Sequence, residues 1–215
     1  MKSVLITSNA YFPNIGGIEN SLRYLAREYL KKGYEVNVVV SDVNNVTDDK
    51  LPPFEILDGI NIYRYSTQHS VHKLLRPLSG FLTLISLLKL FKKLKLENKP
   101  DLTISRFHTT TWLAKIARLE NVIYLLPGVV KYQNHPSRTS QKKGIAKVKQ
   151  LLRYYYHVWL QSNAFRSADR LAVFSSNMAD QVSSCAKPSK PLLLVKPGVD
   201  NERFCPCEHD QIQLL

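Results

Sequence analysis

The residues near the start of the chain with the clearest chemical potential are Gly16 and Gly17, with Asn14 just before them and Glu19 just after. They lie between an apolar run over 4–8 and a helical pattern opening at Ile18. In that pattern Leu22, Leu25, Ala26, Tyr29 and Leu30 share a face, and Gly33 supplies a stop signal. Glycines at a strand-to-helix turn let backbone approach a phosphate closely, and the first amides of the helix add a partial positive field. A tight turn that needs positive φ calls for the same residues. Glu19 suits a ligand contact, and equally a favourable acid in a helix's first turn. A second polar group, Arg106-Phe107-His108-Thr109, follows a strand-like run over 102–105. His108 there fits either a cleft-facing role or a structural one.

The elements that must position these residues alternate. Strand patterns fall at 4–8, 35–40, 60–65, 102–105, 122–126, 170–174 and 192–196. Helical patterns open at Ile18 and then span 74–96, 110–118, 145–165 and 178–184, with a basic loop after the fifth strand. Glu35-Val36-Asn37-Val38-Val39-Val40 is nearly continuous in apolar character, as strands covered on both faces are. Strand–helix alternation of this kind predicts an α/β fold: a Rossmann-like parallel sheet of about seven strands with helices on both faces. In such sheets ligands bind beyond the carboxyl ends of the strands. The candidate cleft residues are therefore Asn14, Glu19, Arg106 and His108, beside the loop of Gly16 and Gly17.

The chain has 215 residues, room for one large α/β domain, and its 44% hydrophobic and 22% charged content suits a globular core. Residues 71–170 carry 19 Lys/Arg against 4 Asp/Glu, whereas each flank sums to −1, so the whole excess of +13 comes from the middle. A localised basic surface is expected. Cys185, Cys205 and Cys207 form an odd, sparse set, which points to a reducing compartment rather than a disulfide framework. No zinc spacing accompanies them, and no metal is expected. The apolar run at the N-terminus is too short for a signal peptide. The longest uncharged stretch of the apolar middle, 77–88, falls well short of the ~20 residues a spanning helix needs.

Four collinear motifs add a resemblance. They are Tyr11-Phe12-Pro13 with Gly16-Gly17-Ile18-Glu19, Leu25-Ala26 and Gly33-Tyr34-Glu35-Val36; Lys99-Pro100-Asp101; Ala168-Asp169-Arg170-Leu171 leading into Val173-Phe174-Ser175; and Pro197-Gly198-Val199-Asp200-Asn201-Glu202-Arg203-Phe204. Together the chain resembles the N-terminal half of the family 4 glycosyltransferases, which have the GT-B fold. The resemblance implies a domain over 1–196 that recognises the acceptor, and a hinge remnant over 197–215 with no second domain following. It also implies a nucleotide-sugar donor as substrate, no tightly bound cofactor, and a glycan or lipid-linked acceptor. Transfer would retain anomeric configuration, in bacterial surface polysaccharide or glycolipid synthesis. The Gly16-Gly17 loop would face the donor phosphates. The residues that hold the donor would lie in the second domain, so the chain alone is expected to be inactive, or to act as one subunit of a split enzyme. Two departures narrow the transfer of roles. Leu126-Pro127-Gly128 stands where many relatives have a His-Gly pair, and Phe174-Ser175-Ser176 replaces a Val-Ser-Glu strand end, so the resemblance adds Gly128 and Ser175 as candidate cleft residues without the His role.

The basic middle has its own candidates. Leu87, Leu90, Phe91 and Leu94 keep one helix face while Lys89, Lys92, Lys93 and Lys95 lie on others, and the stretch 78–85 is apolar nearly all round, so it needs cover on more than one side. Lys142, Lys143 and Lys147 precede Tyr154-Tyr155-Tyr156 and Trp159. Cations beside amphipathic rings suit an anionic bilayer surface. A solvated face over ordinary core helices fits the same residues, and no nucleic-acid-binding motif accompanies the charge. The expected location is cytoplasmic, with the inner face of the membrane as a docking surface.

Overall fold

The computed structural model describes residues 2–47, 49–67, 76–135, 143–186, 191–196 and 198. Lys142 and nearly all of the 197–215 hinge lie outside them. Eight strands and six helices follow one another as β1 (Ser3–Thr7), α1 (Gly17–Lys31), β2 (Glu35–Ser41), β3 (Phe54–Leu57), β4 (Ile60–Tyr65), α2 (Arg76–Glu97), β5 (Leu102–Ser105), α3 (His108–Ile116), β6 (Val122–Leu125), α4 (Val130–Gln133), α5 (Ile145–Ser167), β7 (Arg170–Val173), α6 (Ser176–Cys185) and β8 (Leu192–Leu194). They build one sheet in the order β3-β4-β2-β1-β5-β6-β7-β8. Every pairing is parallel except β3 with β4.

The expected α/β sheet is present, with two additions. The edge strand β3 turns back on β4 through Asp58 and Gly59, both at positive φ, which matches the twist of a two-residue hairpin. One turn of helix, α4, lies in the segment expected as a basic loop.

Alternation along β1 divides the core. Val4 and Ile6 face α1, packing with Leu22 and Ala26 and with Val36, Val38 and Val40 of β2. Leu5 and Val39 point the other way, towards Leu87, Phe91 and Leu94 of α2 and Leu113 and Ala114 of α3. Tyr124 and Leu171 continue that second face under Ala164 and Phe165 of α5 and Val182 of α6. Each fully buried Leu or Phe contributes roughly 1.5–3 kcal/mol, and these residues concentrate on β1 and on the helices that cover its two faces.

Two of the family-like motifs act at the amino edge of this sheet. Asp101 Oδ2 accepts the Ser3 amide at 2.7 Å, tying the start of β5 to β1. Asp169 Oδ2 accepts the Val122 amide at 2.8 Å and its carboxylate pairs with Lys115, tying β7 to β6. Both aspartates are latches on strand ends, on the opposite edge from the glycine loop.

Candidate functional site

At the carboxyl edge the chain reverses its direction of winding between β1 and β5. The helix after β1, α1, covers one face, and the helix after β5, α3, covers the other. The two loops therefore part and leave a crevice, the usual ligand position in sheets of this kind. Gly16 and Gly17 form one wall and the segment from Arg106 to His108 the other.

The glycine loop is held from three sides. Asn9 O accepts both the amide and the hydroxyl of Ser41, at 3.1 and 2.7 Å. Asn14 is buried; its side-chain Nδ2 donates to Val43 O at 2.9 Å and its Oδ1 accepts the Asn45 amide at 2.6 Å. Arg64, whose side chain is fully buried, donates to Phe12 O and Pro52 O at 3.1 Å each and pairs with Glu55. Beneath the loop Tyr11 is buried, and burial pushes its hydroxyl up to about 12. The Phe12–Pro13 bond is cis. Asn14, a candidate cleft residue, thus uses its amide to fasten the loop.

The loop delivers an open helix end. Gly16 is extended at φ −174°, a conformation any residue adopts, and Gly17 is not among the glycines at positive φ. The turn therefore does not need glycine for its backbone angles. Beyond its chain neighbours and its own helix backbone, a Cβ on Gly17 would meet nothing within 4 Å, and one on Gly16 would run into the Glu19 carboxyl. The first backbone bond runs from Asn20 N–H to Gly16 O, and no side chain caps Gly16. The amides of Gly17, Ile18 and Glu19 consequently lack helical acceptors and point out of the helix end.

Across the crevice Arg106 is only 6% exposed. Its Nη1 donates to Ser21 Oγ on α1, and its guanidinium lies over the Phe174 ring, 5.1 Å from the centroid. Burial lowers its pKa, and the charge of Glu19 acts in the opposite direction. Ser105, Thr110 and Thr111 gather their hydroxyls around Phe107 O at 2.8–3.1 Å and so fix the start of α3.

His108 is buried, and its Nε2 meets Nδ1 of His157 on α5 at 3.1 Å. The contact turns this ring towards the helix layer. Burial, together with the His157 ring, holds His108 down at about 4, and burial with Arg153 lowers His157. A base depressed in the fold stays neutral while the unfolded chain takes up a proton. The stability it contributes is complete above its unfolded value, about pH 6.5, and is lost as pH falls from there towards about 4. Denaturant midpoints taken across that window should show His108→Gln losing less stability than the parent chain, by about 2–3 kcal/mol. Parallel pH profiles would contradict this.

The remaining candidates sit further along the edge. Gly128 is buried beneath the Gln133 side chain, and its carbonyl accepts Gln161 Nε2 at 2.9 Å. Gln161 also donates to Tyr124 OH at 3.1 Å and accepts the Val130 amide at 2.8 Å. Ser175 is the N-cap of α6 and accepts the Met178 amide at 3.2 Å. Geometry thus unites Gly16, Gly17, Glu19 and Arg106 in one crevice, and it assigns Asn14, His108, Gly128 and Ser175 bonds that hold its walls. Arg64, Ser21 and Gln161 are contributors that the sequence patterns did not single out. None of the three carried a local signal, since Gln161 opens the ordinary polar run Gln161-Ser162-Asn163.

Comparison with known proteins agrees with this architecture. Glycosyltransferase Family 4 matches residues 15–203. The chain belongs to that family. No curated protein matches the sequence. Among solved structures, sucrose-phosphate synthase from Thermosynechococcus elongatus superposes with a TM-score of 0.69 at 15% identity, covering 100% of this chain and 52% of that one. The catalytic domain of starch synthase IV from Arabidopsis thaliana, bound to ADP and acarbose, gives 0.54 at 11%, covering 94% and 52%. Os79 T291V from O. sativa, in complex with UDP, gives 0.52 at 14%, covering 98% and 57%. The family 4 chain thus spans about half the length of these proteins and shares their fold.

In the basic middle, Lys89, Lys92, Lys93, Lys143 and Lys147 are exposed. Along the projecting half of α5, Ile145, Val148, Leu152, Tyr155 and Trp159 recur every three or four residues and are 53–77% exposed. They form one apolar stripe, with Lys149 and Arg153 on its flank. On α2, Leu78, Phe81 and Leu82 are also exposed, so the cover expected for that stretch is not supplied by the described residues. Among the described residues no helix is long and apolar enough to cross a membrane, and no cluster of three or more His, Cys, Asp or Glu suits a metal.

Proposed function

We propose that this chain is the acceptor-side half of a nucleotide-sugar-dependent, retaining glycosyltransferase, with the donor diphosphate seated over Gly16 and Gly17. One observation carries the reading: neither backbone angle nor packing asks for glycine at position 17, yet the residue opens an uncapped helix end at the sheet's ligand edge. Space kept clear in front of three free amides suits a phosphate. The relatives solved with ADP and with UDP support the class of ligand. A glycan or lipid-linked acceptor for surface polysaccharide or glycolipid synthesis fits the same cleft.

In this proposal a donor-binding polypeptide completes the cleft and supplies the charges that stabilise the leaving diphosphate, commonly the largest part of such catalysis. The 215 residues alone are then expected to show no sugar transfer above the uncatalysed rate with UDP- or ADP-linked sugars. Sustained turnover by the purified chain, read by release of the nucleoside diphosphate, would overturn that division of labour.

The α5 stripe supports a second element, docking to an anionic membrane from the cytoplasmic side. Rings and aliphatic side chains on one line, flanked by Lys149 and Arg153, match an interfacial helix. Flotation with phosphatidylglycerol-containing vesicles should recover the chain with lipid, and Tyr155→Ala with Trp159→Ala should weaken partitioning roughly tenfold or more. Equal recovery of parent and variant would remove the stripe from the account.

A further inference from the structure

Two arginines of this fold are buried to a similar degree, and they are treated differently. Arg64 donates to two backbone carbonyls and is neutralised by Glu55. Arg106 donates to one hydroxyl, that of Ser21, and among the described residues no carboxylate lies within salt-bridge distance of it. The Nε of each is buried without a partner, so the difference lies at the terminal nitrogens. A buried guanidinium without a counter-ion is costly, and a fold that neutralises one such group beside its edge hairpin leaves the other uncompensated at its ligand edge. The Phe174 ring gives Arg106 a cation–π contact but no charge.

The position of Glu19 completes the picture. Its carboxylate folds back over Gly16, at the helix end whose amides are free, and it is the acid whose charge Arg106 senses. An anion is thus already drawn to this place, held by a flexible side chain rather than by a fixed pair.

We infer that Arg106, anchored on Ser21, is a phosphate-binding residue of the crevice, and that a ligand phosphate displaces the Glu19 carboxylate and supplies the missing counter-charge. The inference rests on the reading that the crevice takes a phosphorylated substrate, and deepens it by assigning a side-chain cation to a site otherwise made of backbone amides. The phosphate belongs either to the donor's diphosphate or to a phosphorylated acceptor. A planar guanidinium suits both, because its parallel N–H groups match two phosphate oxygens.

The experiment is an NMR titration of the full chain with inorganic pyrophosphate, with UDP and with glucose 6-phosphate. The Arg106 Nε–Hε signal and the amides of Gly17, Ile18 and Glu19 are followed. Arg106 is expected to move saturably together with those amides. Movement with pyrophosphate and UDP assigns the contact to the donor, and movement with glucose 6-phosphate assigns it to the acceptor. Arg106→Lys keeps the charge but loses the fork, and should bind the same ligand about tenfold more weakly. Glu19→Gln removes the competing carboxylate and should tighten binding about two- to fivefold. If the amides move while the Arg106 signal stays still, the inference fails and the loop reading stands. If neither moves with any of the three ligands, both fail. Arg106→Lys binding as tightly as the parent chain would also overturn the inference.

Discussion

Gly17→Ala is expected to leave the fold intact and to weaken nucleoside diphosphate binding roughly 10–100-fold. The two halves of that expectation have separate causes. Beyond its chain neighbours and its own helix backbone the new methyl meets no atom within 4 Å, and the residue is the first of α1, where its backbone is not at positive φ. Replacing glycine at such a position restricts the unfolded chain, so stability should stay level or rise by up to about 1 kcal/mol. The methyl instead occupies the space from which a phosphate would approach the amides of Gly17, Ile18 and Glu19. Losing hydrogen bonds to a charged group costs about 1.5–3 kcal/mol, which sets the expected fall in affinity. Thermal unfolding and calorimetric titration with UDP on the same samples separate the two effects. A variant with unchanged affinity would show that the open space has no bearing on the ligand.

Gln161→Leu should be the most destabilising substitution near the site, at about 3 kcal/mol or more. This one side chain serves the Val130 amide, the Gly128 carbonyl and the Tyr124 hydroxyl, all buried. Leucine fills much of the space but leaves these groups without a partner, each at a cost of about 1–3 kcal/mol if water cannot reach it. Denaturant unfolding reads the total. Hydrogen exchange at the Val130 amide reads the local part and should accelerate more than exchange in β1. The loop from Gly128 through α4 is thereby tied to α5, and the far end of the candidate cleft depends on that tie. A loss below about 1 kcal/mol, with Val130 exchange unchanged, would contradict the hub role.

Local signals reached the central strands and missed the contacts between them. The apolar runs of β1 and β2 fill most of their elements and flank a helical pattern, so their order along the chain and the position of the glycine loop between them were legible. β3 escaped because only four residues form it and its alternate positions are exposed, although Asp58-Gly59 marked the hairpin. The walls of the crevice were less legible. Arg106 meets Ser21 across 85 residues, His108 meets His157 across 49, and Gln161 meets Gly128 across 33. No periodicity encodes such pairs; they arise because β1, β5 and β6 lie side by side and their following helices return to defined faces. The backbone of Gly16 was equally out of reach, since composition cannot tell an extended glycine from a left-handed one. That angle removed the turn-chemistry explanation and left the open helix end as the feature to account for.

The direct measurement is a titration of the isotopically labelled chain with UDP and with ADP, recorded residue by residue. Saturable shifts are expected at Gly17, Ile18 and Glu19, with smaller ones along the start of α3. Shifts confined to the lysines and rings of α5, or none at the glycine loop at saturating nucleotide, would contradict a diphosphate seat at that loop.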